Sequence, residues 1–130
     1  MTIDEMLAEA REGLQRLGPR EADEAMRDGS VLVDVRTSEQ HARDGTVPGA
    51  ISIPLNVLEW RADASSPAHD RRLGGAGVRL VVLCAEGYCS SLAAARLIAL
   101  GRAATDVVGG FAAWRDSGLP VLPSPAGTLP

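Results

Sequence analysis

Apolar residues recur at helical spacing through Ile3, Met6, Leu7, Ala10, Leu14 and Leu17, which predicts an amphipathic helix at the start of the chain. Thr2 and Asp4 suit its beginning and Gly18-Pro19 its end. A second, short helix is predicted over residues 20–27, closed by Asp28-Gly29. VLVDV, residues 31–35, reads as a fully buried strand, residues 37–43 as a short helix, and AISIP, residues 50–54, as a strand stopped by its proline. A helical turn or more follows over residues 55–60. Residues 62–77, rich in Ala, Ser, Asp, Arg and Gly, read as a solvated loop with at most one helical turn. Beyond them come a strand over 79–83, a helix over 90–100, a short strand near 105–108, a Gly109-Gly110 turn and a last helix over 111–117.

Short apolar strands alternating with helices imply an α/β domain whose parallel sheet is covered on both faces. The organisation predicted is an N-terminal amphipathic helix over 1–18, one domain over 19–122, and a Pro-rich tail over 123–130. Four of the eight prolines lie between Pro120 and Pro130, so the tail is expected to be extended or disordered. A chain of 130 residues fits one domain and can bury roughly two thirds of its unfolded surface, so it needs no staples.

Charge narrows the partners. The 17 acidic and 13 basic residues, every basic one an arginine, are mixed along the chain for a net charge of −4, with no basic run to follow a phosphate backbone. Nucleic acid is therefore not an expected partner. Two cysteines make no disulfide scaffold, and MTIDEMLAEA lacks the basic and apolar regions of a signal peptide, so the expected compartment is the cytoplasm. No apolar run reaches bilayer length, so no membrane partner is expected.

The stretch from Val81 to Gly101 carries the candidate chemistry. An apolar strand delivers Cys84 into a tight loop, and a helix opens immediately afterwards with Ser90 as a suitable N-cap. The free amides and positive dipole end of that helix would stabilise a thiolate, lowering the Cys84 pKa and making it nucleophilic near neutral pH. Cysteine is also among the most buried residue types, so a small structural hydrophobe is the competing reading. Ligands of open parallel sheets bind beyond the carboxyl ends of the strands, where Cys84 lies, and this favours the reactive thiol.

Three segments together resemble the rhodanese-like sulfurtransferase family: VLVDVRTSEQ from Val31, GTVPGAISIPL from Gly45, and the cysteine loop followed by GGFAAWRDSGLPV from Gly109. They span about residues 20–122 and leave the N-terminal helix outside. The resemblance implies a five-stranded parallel sheet and a six-residue active-site loop formed by Cys84, Ala85, Glu86, Gly87, Tyr88 and Cys89. Inward backbone N–H groups of such a loop would hold an anionic sulfur. It also implies double displacement through a Cys84 persulfide, from a small sulfur donor or a protein persulfide to a thiol acceptor, without metal or organic cofactor. The alternative is a noncatalytic rhodanese-like binding or redox-regulatory module.

The chain departs from the family pattern at several positions. The loop has no basic residue, and Glu86 places a negative charge at its rim, which predicts weak thiosulfate activity. Cys89 stands where the family more often has Arg or Thr, and is either a resolving thiol for an oxidised Cys84 or a plain loop residue. Thr46 replaces a frequent histidine. A phosphatase of the related loop type would need an oxyanion-binding arginine near the helix start, where the chain reads Cys89-Ser90-Ser91. Asp34 and Arg36 are expected to brace the site, Arg36 pairing with Glu39 or an acid near the Gly45 to Ala50 turn. His41 and His69 read as solvated surface residues rather than zinc ligands. Trp60 and Trp114 read as core or pocket-wall aromatics, and Tyr88 as a pocket-lining or exposed loop tip.

Overall fold

In a computed structural model of the chain, described over residues 1–124, alternate side chains of the apolar runs divide between two cores. Val33, Val35, Leu80, Val82 and Cys84 belong to one core, and Leu32, Val81 and Leu83 to the other, as the two-residue period of a strand requires. The strands are β1 (Val31–Asp34), β2 (Ile51–Ser52), β3 (Leu80–Leu83) and β4 (Ala104–Asp106), all parallel and ordered β2-β1-β3-β4. The central β3 is buried along its whole length.

Helices α1 (Ile3–Glu12), α2 (Pro19–Arg27), α3 (Ser38–Asp44), α4 (Leu58–Ala62), α5 (Cys89–Ala99) and α6 (Gly110–Asp116) complete the chain. Leu58 and Ala62 of α4 and Ala93, Ala94 and Leu97 of α5 fill the first core. Ala22 of α2 and Phe111 and Trp114 of α6 fill the second. Both faces of the sheet are thus covered.

Among the described residues the sheet has four strands rather than five. A single parallel bridge takes the place of the fifth: the Leu17 N–H donates to the Asp106 carbonyl at 3.0 Å, and the Val108 N–H donates to the Leu17 carbonyl at 2.8 Å. The ladder cannot continue past Leu17, because Gly18 already caps α2 and Pro19 has no N–H to donate. The apolar pattern of the N-terminal helix likewise outruns the helix itself. Thr2 caps α1, its hydroxyl accepting from the Glu5 N–H at 3.0 Å, but α1 ends at Glu12, and Leu14 and Leu17 are half-buried against the two cores from the connector.

Residues 62–77 hold one 3-10 turn, Arg71–Leu73, and are less solvated than their composition suggests. Leu73 is fully buried, and buried Arg102 donates to the carbonyls of Ala62, Leu73 and Val78 at 2.6, 2.7 and 3.2 Å. Those bonds offset the cost of burying a guanidinium and tie the loop to the domain.

The start of the Pro-rich tail is ordered. Leu122 pairs with Thr46 in an antiparallel bridge with bonds of 2.7 and 2.8 Å, and Trp114 Nε1 donates to the Pro120 carbonyl at 2.9 Å. From residue 125 the predicted tail lies outside the described residues. Trp114 is buried as expected, whereas Trp60 is 59% exposed and belongs to no core.

Candidate active site

Cys84 continues the inward register of Leu80 and Val82 and is 5% exposed, at the carboxyl end of the central strand. The chain then curls back on itself. Gly87 has φ +88°, a conformation that suits glycine, and a Cβ built there would lie 2.7 Å from the Gly109 nitrogen. This curl directs the Gly87 N–H onto Cys84 Sγ at 3.1 Å.

The outer side of the loop is held by α6. The amides of Phe111 and Ala112, left free at the start of that helix, donate to the carbonyls of Cys84 and Ala85 at 2.8 and 3.1 Å. Gly110, with φ +59°, permits this approach, since a Cβ there would strike the Cys84 carbonyl oxygen. The double glycine therefore brings α6 onto the backbone of the nucleophile.

The Cys84 thiol is held down at about 5, chiefly by the Cys89 side chain, then by the N–H groups of Ser90 and Gly87, against the opposing effect of burial. The same contact, together with burial and the Asp106 charge, pushes the Cys89 thiol up. The contact thus favours the thiolate on Cys84 and the thiol on Cys89, and both cysteines are free of disulfide. Ser90 supports the thiolate, but not as the helix cap: α5 begins at Cys89 with Tyr88 at the cap position. The Ser90 hydroxyl bonds buried Asp106 at 2.8 Å, because a carboxylate with no exposed surface needs donors around it.

Asp106, which sequence reasoning missed together with Ser91, Arg11 and Arg16, gathers them around Ser90. It accepts from Ser90 and Ser91, each at 2.8 Å, and from Arg16 at 2.9 and 3.2 Å. Arg11 donates to Ser91 Oγ at 3.0 Å, and both arginines donate to the Gly87 carbonyl, at 2.8 and 2.9 Å.

Asp34 and Arg36 brace the neighbouring strand end. Both are buried, and the guanidinium meets the carboxylate through Nε at 3.1 and 3.2 Å and Nη2 at 2.8 Å. Arg36 also bonds the Gly45 carbonyl at 2.9 Å and lies 3.8 Å from the centre of the Phe111 ring, linking β1 to α6. Its carboxylate partner is Asp34, two residues away, rather than Glu39. His41 corrects a second expectation: it lines the active-site cavity with Nε2 3.3 Å from Asp34 Oδ2. His69 Nε2, also expected in solvent, lies 3.1 Å from the Gly74 carbonyl.

A cavity of about 810 Å³ opens above Cys84. Thr37, Gln40, Ser52, Leu55 and Asn56 form much of its wall, and Ala85, Glu86, Tyr88 and Cys89 its loop side. Glu86 and Tyr88 are exposed at the rim, Tyr88 by 61%. Arg36, the arginine of the lining, pairs with Asp34 through Nε and Nη2, while its buried Nη1 has no hydrogen-bond partner among the described residues. Among the described residues no group of three or more His, Cys, Asp or Glu is placed to hold a metal ion. Nor, among them, is any helix long and apolar enough to cross a membrane.

The model of the rhodanese-like domain matches residues 18–117. The chain belongs to that family. Among solved structures it is similar to a protein of unknown function from Rhodopseudomonas palustris CGA009 described as a possible tyrosine phosphatase, with 33% identity, a TM-score of 0.84, and coverage of 93% of this chain and 94% of that one. It is also similar to a thiosulfate sulfurtransferase from Pseudomonas aeruginosa, with 26% identity and a TM-score of 0.66 over 86% of this chain and 21% of that one. A rhodanese-like domain protein from Staphylococcus aureus shares 26% identity at a TM-score of 0.65, over 83% of this chain and 98% of that one. No curated protein matches. The family match begins at Gly18, so Arg11 and Arg16 of this rhodanese-like chain lie ahead of it.

Proposed function

We propose that this rhodanese-like chain is a sulfurtransferase carrying sulfane sulfur on Cys84. The observation that carries the reading is a buried thiol held at about 5, with backbone N–H donors around it, facing a cavity large enough for a donor. The Cys84 thiolate attacks the outer sulfur of a persulfide donor. A new S–S bond forms as the donor's own S–S bond breaks, and the donor thiolate leaves with the electron pair. The persulfide anion on Cys84 is stabilised by the Gly87 and Ser90 amides, fixed dipoles that need no reorganisation. An acceptor thiolate then attacks the outer sulfur, and Cys84 returns as the thiolate.

The charge of the cavity selects the donor. Thiosulfate is a dianion, Glu86 repels it at the rim, and the charge of Arg36 is already offset by Asp34. A low-charge persulfide or a protein persulfide is the better fit, passing its sulfur to a thiol acceptor. The reducing cytoplasm suits an enzyme that works through a free thiolate.

The description of the Rhodopseudomonas relative raises phosphoryl transfer as a second reading. Oxyanion binding calls for a guanidinium inside the loop. Here Arg11 and Arg16 bond the Gly87 carbonyl and Asp106 instead. A noncatalytic module is the alternative from another class, and the lowered Cys84 pKa weighs against it.

A two-step assay tests the reading. Protein treated with a low-molecular-weight persulfide and freed of donor should pass one sulfur per chain to added thiol, and Cys84→Ser should pass none. Equal transfer from Cys84→Ser would refute the assignment, while phosphate release from an aryl phosphate without sulfur transfer would favour the phosphatase.

A further inference from the structure

We propose that Arg11 and Arg16, carried by α1 and the connector after it, are positioning residues for the Cys84 loop, so that this N-terminal segment is part of the active site. The family match starts at Gly18 and includes neither residue.

Both guanidiniums converge on one acceptor. Arg11 Nη2 and Arg16 Nη2 donate to the Gly87 carbonyl at 2.8 and 2.9 Å, and the N–H of that same glycine donates to Cys84 Sγ at 3.1 Å. Gly87 is therefore held from outside by two cations while it presents its amide to the sulfur. Each arginine has a second anchor in the floor of the site: Arg11 Nε on Ser91 Oγ at 3.0 Å, and Arg16 Nε on Asp106 Oδ1 at 2.9 Å. Ser91 and Ser90 both bond Asp106 Oδ2 at 2.8 Å, which closes the network onto the residue whose amide supports Cys84.

Charge and forked geometry both matter here. The loop contains no cation of its own, so these two guanidiniums bring positive charge close to the backbone that solvates the thiolate. A guanidinium can bond Gly87 and Ser91 at once through its fixed fork, whereas an ammonium is a point charge. Arg11 also lies 5.7 Å from the centre of the Tyr88 ring, which fixes the next loop residue from the same side. α1 has no fully buried residue, so its contribution to the core is small beside its polar contacts with the loop.

The inference rests on Cys84 being the working nucleophile, and its test reads the thiolate directly, without any sulfur donor. The rate of Cys84 alkylation by iodoacetamide is measured against pH for wild type, Arg11→Met, Arg11→Lys and Ile3→Ser, with thermal unfolding followed in parallel. Arg11→Met should move the alkylation midpoint upward and cut the rate at pH 5 by about fivefold, equivalent to a midpoint rise of about one pH unit. Arg11→Lys should show a smaller shift in the same direction, and Ile3→Ser, on the exposed side of the same helix, should keep the wild-type profile. Arg16→Gln should shift the profile in the same direction as Arg11→Met, with a fall in stability because Asp106 loses its ion pair. A folded Arg11→Met protein with the wild-type alkylation profile would overturn the proposal, even if its melting temperature fell. If Arg11→Met does not fold, Arg11→Lys decides the matter, and a wild-type profile in that variant overturns the proposal. Normal alkylation without sulfur transfer in any variant would count against the sulfurtransferase reading instead.

Discussion

The N–H of Gly87 donates to the sulfur of Cys84 at 3.1 Å, and this one contact depends on structure from both ends of the chain. The curl that aims the amide needs a positive φ and close passage beside Gly109 and Gly110. On the other side, Arg11 and Arg16 grip the Gly87 carbonyl. The sulfur's environment is thus assembled by β3, the N-terminal segment and the start of α6 together.

The first prediction concerns pH. The reactive form is the thiolate, so with Cys84 held at about 5 its alkylation rate should be flat above about pH 6 and fall about tenfold per unit well below pH 5. Cys89→Ala removes the leading stabilising partner and should move the midpoint upward by about one unit, whereas Cys89→Ser keeps a donor and should move it less. Stopped alkylation followed by mass measurement gives both profiles.

Gly87→Ala should cost about 1–3 kcal/mol, since it forces a side chain into the left-handed region and against the Gly109 nitrogen. Chemical denaturation should show the loss. Cys84 alkylation at pH 6 should slow in the same variant, because the loop must open to fit the methyl group.

Asp34 and Arg36 should behave as a unit. Arg36→Met leaves a buried carboxylate without its forked partner and should cost about 3–5 kcal/mol, while Asp34→Leu combined with Arg36→Met should recover much of that loss. A double-mutant cycle in urea measures the coupling, and additive losses would show that the pair is not a unit.

Glu86→Gln should raise kcat/KM for thiosulfate several-fold by removing a negative charge from the rim, and the gain should shrink at high salt. Efficient thiosulfate turnover by wild type, with no gain in the variant, would contradict the charge argument.

Legibility in the sequence followed range. The run from Val81 through Cys84 into α5 could be read because strand, loop and helix are local and each has its own period. Gly109-Gly110 was legible as a turn, but its close approach to Cys84 was not, since contact between distant backbones leaves no mark in hydropathy. Ser90 had the chemistry of a helix cap, yet the demand of buried Asp106 for donors took its hydroxyl elsewhere. Leu17 kept a single bridge because Pro19 follows so closely, which left four strands where the family resemblance implied five. Leu122 sat in a segment whose prolines suggested disorder, but Thr46 supplies it with a pairing partner. Arg11 and Arg16 carry no signal in their own segment, and the only one available was that the cysteine loop lacked cations of its own.

The most direct measurement is intact-protein mass spectrometry after exposure to candidate sulfur donors, followed by peptide mapping. Folded, reduced wild-type protein should gain about 32 Da on Cys84, one sulfur atom, and lose it on addition of an acceptor thiol, with Cys84→Ser showing no gain. No adduct with any donor, persulfides included, would contradict the account and leave a rhodanese-like module that binds without transferring sulfur.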